Sequence, residues 1–174
     1  MAVTDPSAGV AVRPATVADL PAAVDLLARV AAEGRWLGTE DVDRTQRLAR
    51  YRSSLASPDH AAFVADASGL IVGHLTVELR PYGVAEVGML VAATWRRQGV
   101  GTRLLGAGVD WARGAGAHKV ALQVWPHNDA ALALYRRFGF VEEGLLRRHY
   151  RRHSGECWDA VVMGLLLDED ASRG

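Results

Sequence analysis

The chain has 174 residues, 49% hydrophobic and 23% charged, and its 20 basic residues balance 20 acidic ones. That length supports one sizeable core, so a single domain over residues 1–174 is expected, and net neutrality gives no drive toward nucleic acid or an anionic membrane as main partner. The lone cysteine, Cys157, excludes an intramolecular disulfide; no apolar run approaches the ~20 residues that span a bilayer, and the start lacks the basic and apolar regions of a signal peptide, so a cytoplasmic protein is expected.

Residues 1–9 are small and polar and are expected to be loose. Residues 10–13 read as a first strand, and Thr16 followed three residues later by Asp19 caps a helix over about 17–33, ended by Gly34. A second helix is expected over about 40–55. Residues 61–65 and 70–79 form a hairpin joined at Asp66, Ala67, Ser68 and Gly69, and Arg80 to Gly83 turn into a strand carrying 86–91. Beyond it, Val100, Leu104, Leu105, Val109 and Trp111 fall at helical spacing, residues 120–124 make a short strand closed by Trp125 and Pro126, and Asn128 caps a helix ended by Gly139. Two strands, about 140–147 and 156–166, complete the order. The pattern predicts an α/β layer fold, a mixed sheet of about seven strands flanked by about four helices.

The segment Arg96, Arg97, Gln98, Gly99, Val100, Gly101, Thr102 lies between the apolar strand and the helix. A glycine-rich turn there lets several backbone N–H groups converge on one anion, and side chains at Gly99 and Gly101 would block the approach. It is not a Walker loop, which needs Lys and Ser or Thr after the last glycine. Nor is it a dinucleotide fingerprint, whose third small residue is replaced by Leu104.

What remains, Arg96-x-x-Gly99-x-Gly101, resembles the pyrophosphate-binding signature of the GNAT superfamily of acyl-CoA-dependent N-acetyltransferases. The segment from Asn128 through Tyr135 to Gly139 and Phe140 looks like the second motif of that family, in the same order and spacing. The resemblance covers about residues 84–145 closely. It implies a GNAT-type fold whose two parallel strands, here those containing Leu90 and Val124, splay apart to admit acetyl-CoA as co-substrate.

If a pyrophosphate rests on the amides of 97–102, the pantetheine arm runs along the preceding strand toward Met89, Leu90 and Val91. A splayed strand offers unpaired amides to it, one of which can polarise the thioester carbonyl; in the family this is the middle residue of the triplet, which implies Leu90. Gly88 is a place for the bulge that would splay the strand. Asn128 would contact the pantetheine as well as cap its helix. Tyr135 stands where the family places a phenol that protonates the leaving thiolate; the plain alternative is a core tyrosine.

Aminolysis needs a neutral amine. Deprotonating a lysine-like amine at pH 7 costs about 4 to 5 kcal/mol, an α-amino group about 1 to 2. Glu86 matches the glutamate of phosphinothricin-type members and is the expected general base, with a solvated strand-end carboxylate as the other reading. Gln123 stands where ribosomal-protein N-terminal acetyltransferases take their base; it cannot accept a proton, but it can hydrogen-bond substrate.

The loop from Gly34 to Glu40 lies where the family builds its acceptor site, and Trp36, Glu33 and Glu40 are acceptor candidates. His74, Thr76 and Glu78 share one strand face, open either to a pocket or to water. The cluster Arg147, Arg148, His149, Tyr150, Arg151, Arg152, His153 interleaves cations with an aromatic and admits an RNA- or ribosome-binding reading, though a basic turn suits an anionic substrate or protein better. His127, His149 and His153 lack metal spacing, so no metal is expected. The sequence thus reads as an N-acetyltransferase acting by direct transfer on a small amine, an amino acid or a peptide N-terminus, possible also as a homodimer; a degenerate acyl-CoA sensor is the alternative.

Overall fold

The computed structural model describes residues 9–167. The loose segment expected at 1–9 therefore falls, except for Gly9, outside the described residues. All seven strands join one sheet in the order β1-β2-β3-β4-β5-β7-β6: β1 Val10–Pro14, β2 His60–Ala67, β3 Leu70–Leu79, β4 Val84–Val91, β5 Lys119–Val124, β6 Val141–Arg151 and β7 Cys157–Leu166. The helices are α1 Leu20–Ala31, α2 Arg44–Leu55, α3 Val100–Gly114 and α4 Asp129–Arg137.

The expected first helix divides, because Val17–Asp19 form a 3-10 turn before α1 begins with Pro21 in its first turn. Asp19 accepts from the backbone N–H and the hydroxyl of Thr16 at 2.7 and 2.8 Å, and from Arg13 at 2.7 and 2.8 Å. The Arg13 bonds, ahead of the Thr16 bonds, hold its carboxyl well below the usual carboxylate range. The second helix starts at Arg44, not near 40, because Asp43 caps it by accepting from Gln46 N–H at 2.9 Å.

The helix α3 lies on one face of the sheet. It can pack closely because Gly108 has no side chain: a Cβ there would stand 2.8 Å from Leu75 Cδ2. Its Val100, Leu104, Leu105 and Val109 join Leu75, Val77, Val120 and Met163 in the main core. On the other face, Leu26, Leu27 and Val30 of α1 cover Val64, Ile71 and Leu90.

His74 sits on that second face under α2, 2% exposed, its ring 5.0 Å from the ring of Tyr51. Its Nε2 has no hydrogen-bond partner among the described residues. Burial, followed by the neighbouring His60, pushes its pKa down to about 4. The folded state therefore holds the neutral ring while the unfolded chain protonates near 6.5. Stability from this group is complete above about pH 6.5 and is lost as pH falls toward 4, by roughly 2 kcal/mol between pH 7 and pH 5. Urea midpoints of the wild type and His74→Leu at those two pH values check this. The variant is expected to flatten the pH dependence, and an unchanged slope would assign the loss elsewhere.

Candidate active site

Strands β4 and β5 form the parallel pair of the sheet, and they are in register only at Val84 with Lys119, Ala85 with Val120 and Glu86 with Ala121. Beyond Glu86 they part. The gap opens into a cleft of about 1320 Å³ walled by β4 from Val87 to Val91, the loop before α3, α4, and the aromatic residues Trp36, Trp125 and Tyr150. No bulge marks Gly88: β3 and β4 stay in register from Ala85 to Val91, and β5 stays in register with β7 from Lys119 to Val124, so each strand parts from the other while keeping its outer partner.

Register also decides which backbone groups face the gap. Arg80 N–H bonds Val84 O at 2.9 Å, Ala92 N–H bonds Val72 O at 2.8 Å, and on the opposite edge His118 N–H bonds Gly83 O at 3.0 Å. With antiparallel alternation, the even residues 84 to 92 address β3, and the odd ones address β5 and the gap. This corrects the expectation for Leu90: its amide is turned toward His74 inside the sheet, and the N–H groups of Met89 and Val91 face the cleft. The Leu90 side chain instead closes the opposite face against α1.

The loop before α3 has the shape of an anion cradle. Arg97 and Gly99 both take positive φ, 63° and 78°, and Gly99 caps α3 from the left-handed region. The next intrahelical bond runs from Arg103 N–H to Gly99 O at 3.1 Å, which leaves the preceding amides of α3 pointing out of the helix end. At Gly101 a Cβ would reach 3.3 Å from Leu134 Cδ2 and 3.5 Å from Met89 Cε, both groups of the cleft wall. Arg97, Gly99, Gly101 and Thr102 line the cleft. Gln98 and Val100 do not: the Gln98 side chain donates to Thr94 O at 2.7 Å and Val100 is buried in the core, so each can serve only through its backbone.

Asn128 caps α4, its Oδ1 accepting from Ala131 N–H at 3.2 Å, and it lines the cleft together with Tyr135. Tyr135 is 7% exposed, packed on Phe140 at 5.7 Å between ring centres, and burial pushes its pKa up to about 12. The phenol is a proton donor throughout the physiological range.

Comparison with known proteins settles the class. A profile of the Acetyltransferase (GNAT) family matches residues 28–140. The chain belongs to the GNAT acetyltransferase family. It is 38% identical over 116 residues to the N-alpha-acetyltransferase RimI of Mycobacterium tuberculosis, which spans 63% of this chain and 70% of that protein. It is 31% identical over 114 residues to the L-amino acid N-acetyltransferase AaaT of Escherichia coli, spanning 61% of this chain and 68% of that one. Among solved structures, the ribosomal-protein-alanine N-acetyltransferase of Brucella melitensis superposes with a TM-score of 0.82 at 26% identity, covering 90% of this chain and 99% of that one. The phosphinothricin acetyltransferase of Sinorhizobium meliloti in complex with acetyl-CoA shares the fold at a TM-score of 0.82 and 20% identity, over 95% and 92% of the two chains.

Within this GNAT frame two predicted charges are spoken for. Arg96 donates to both oxygens of Glu33 at 2.8 and 2.6 Å and to Val91 O at 3.0 Å, and its guanidinium stands 5.5 Å over the Trp36 ring. Glu33 also accepts from Trp36 Nε1 at 2.7 Å. Its carboxyl is held below its ordinary range, chiefly by the Arg96 bonds. Glu33 is therefore not an open counter-charge for an amine, as the sequence suggested. It and Arg96 fasten the end of α1 to the end of β4.

Glu86 is also displaced from its expected place. It is exposed, it does not line the cleft, and Arg80 donates to its Oε2 through Nε at 2.8 Å and Nη2 at 2.5 Å. The turn between β3 and β4 brings Arg80 back over the last paired residue, and the guanidinium takes the carboxylate that was expected to take a proton.

The acceptor side was only partly legible. Gln123 lines the cleft, but its Oε1 accepts from Tyr150 OH at 2.7 Å. Trp125 meets the Tyr150 ring edge-on at 4.9 Å, and a Cβ at Gly38 would lie 3.6 Å from Tyr150 and 3.8 Å from Trp125. Arg152, 4% exposed, stacks 4.3 Å over Trp158 and donates to Leu37 O and Gly38 O at 2.8 and 3.2 Å, with Glu40 at 3.3 Å. Glu40 in turn accepts from His153 N–H at 2.8 Å. The basic run thus contributes a buried arginine that pins the loop from Gly34 to Glu40. The alternation of Tyr150 with Arg152 on one strand end was the signal available for it. Of His74, Thr76 and Glu78, read as facing either a pocket or water, none lines the cleft: His74 is buried under α2, and Glu78 is exposed and accepts from Arg80.

Proposed function

We propose that the protein transfers an acetyl group from acetyl-CoA to a primary amine by direct attack in a ternary complex. The observation that carries this is the meeting of three parts at one cleft: the cradle at the start of α3, the amides of Met89 and Val91 turned into the β4–β5 gap, and the buried phenol of Tyr135. The cradle fits a pyrophosphate, since Gly99 holds the left-handed φ of 78° that turns the amides outward, and Gly101 lines the cleft with no side chain between its backbone and Leu134 or Met89.

The amides of Arg97 to Thr102 would hold the phosphates, with Val91 and Asn128 on the pantetheine. The thioester supplies the acetyl group and a thiolate leaving group. The Met89 N–H, fixed by the sheet and costing no reorganisation, stabilises negative charge developing on the carbonyl oxygen. Tyr135 gives a proton or a strong hydrogen bond to the departing sulfur. Glu86, held by Arg80 outside the cleft, has no part in this scheme, and the amine loses its proton to solvent. The single cysteine and the reading of a CoA-dependent enzyme suit a cytoplasmic location. The similarity to RimI and AaaT supports an α-amino acceptor, from a peptide or an amino acid.

Initial velocities with both substrates varied test the direct route. Intersecting double-reciprocal lines, with an unmodified protein mass after incubation with acetyl-CoA alone, are expected. Parallel lines with acetylated Cys157 would replace direct transfer by a covalent route.

A further inference from the structure

We infer that α2 is an acid-released strap: protonation of His74 lifts α2 off β2 and β3 while the sheet stays folded. The chemistry beneath the helix carries this. His74 is 2% exposed, its Nε2 has no hydrogen-bond partner among the described residues, and the Tyr51 ring of α2 covers it at 5.0 Å. A proton on that ring would meet apolar side chains. Its neighbours across the sheet are Val64 and Leu90, and α1 brings Leu26, Leu27 and Val30 to the same cluster.

The titratable groups nearby do not offset the charge. His60, whose own charge acts on the ring, has a buried Nδ1 that is also without a partner among the described residues. Glu78, which faces His60 across the strands, accepts from Arg80 at 2.8 Å. The helix itself brings Arg47, 5.9 Å over the Tyr51 ring, with Arg44, Arg50 and Arg52 along its length. An imidazolium formed here would be buried, unpaired and under a cationic helix, which is costly.

Lifting α2 relieves that cost with the least loss of packing. No α2 residue is fully buried, and its ion pair to α1, Arg44 with Asp25 at 2.8 Å, is exposed. By contrast, β3 carries Leu75 and Val77 at 0% exposure in the main core. Segments with few buried contacts open ahead of the whole molecule. Burial pushes the docked ring down to about 4, and a ring released into water returns to 6.5. Docking is therefore complete above about pH 6.5 and weakens as pH falls toward 4, with opening favoured about 20-fold more at pH 5 than at pH 7. The strap flanks the cleft, since Tyr51 packs on the cluster that Trp36 and Leu37 of the cleft wall also join. None of this depends on the transferase reading.

Hydrogen exchange of the full chain at pH 7 and pH 5, with each rate divided by the intrinsic rate at its pH, tests the release. Amides of α2 are expected to be less protected than those of β3 at both values, and to lose protection about 20-fold between them. In His74→Leu, and in His74→Gln, which keeps a neutral polar group, that loss is expected to shrink to about threefold or less. Tyr51→Ala, which uncovers the ring, is expected to raise the pH at which the His74 ring titrates in proton NMR. Equal protection of α2 and β3 would mean that the helix leaves only with the whole fold, and overturns the strap. A wild-type loss under about threefold, or an undiminished loss in both His74 variants, overturns it too. So does a His74 titration that Tyr51→Ala leaves unmoved.

Discussion

Tyr135→Phe is expected to lower kcat by about 100- to 1000-fold, the range of a positioned proton donor, while acetyl-CoA affinity stays within about twofold. The phenyl ring keeps the packing on Phe140 and the core around α4, so the loss falls on the hydroxyl alone. Because burial raises the Tyr135 pKa to about 12, its donor form is complete at every pH below about 11. The wild-type pH–rate profile should therefore show no inflection from this residue between pH 6 and 10. CoA thiol release by both proteins, with thermal melts to show equal folding, checks the assignment. A kcat within threefold of wild type would make Tyr135 a packing residue only.

Gly101→Val should weaken acetyl-CoA binding by at least about 100-fold. The added Cβ would stand 3.3 Å from Leu134 Cδ2, closer than most real contacts, and in van der Waals contact with Met89 Cε at 3.5 Å, at a residue that lines the cleft beside the cradle. Overpacking of this kind also costs about 1 to 3 kcal/mol of stability. Calorimetric titration with acetyl-CoA separates the two effects, because Gly108→Ala, which crowds Leu75 in the core away from the cleft, should cost stability and leave affinity unchanged. Equal affinity in Gly101→Val and wild type would move the cofactor site away from this loop.

The elements with local signals were readable in the sequence. Asn128 announces α4 by its own side chain, Gly139 ends it at a φ of 93°, and the glycine loop between β4 and α3 stands out by composition alone. The splay followed from the family resemblance. Features that depend on pairing between distant parts were not readable. Glu33 and Arg96 are 63 residues apart, and Arg152 reaches Leu37 across 115. In a run of arginines nothing local separates the one that folds inward from those that meet water.

The Leu90 assignment failed for a different reason. The triplet lines the cleft, but which of its amides faces the gap is a matter of parity, set by the Arg80–Val84 bond at the β3–β4 turn. A shift of one residue exchanges the inner and outer backbone groups of the whole strand. Glu86 illustrates the companion problem. Its place on the strand matched the expected base, yet Arg80, six residues earlier, folds back on it.

In the proposed reaction this cleft passes an acetyl group from acetyl-CoA to an amine. Its most direct test is mass analysis of all products after incubating the protein with acetyl-CoA and L-phenylalaninamide. N-acetylated amide equal in amount to the CoA released is expected, with the protein mass unchanged. CoA released without acetylated amine, or acetyl-CoA bound and left intact, would contradict it.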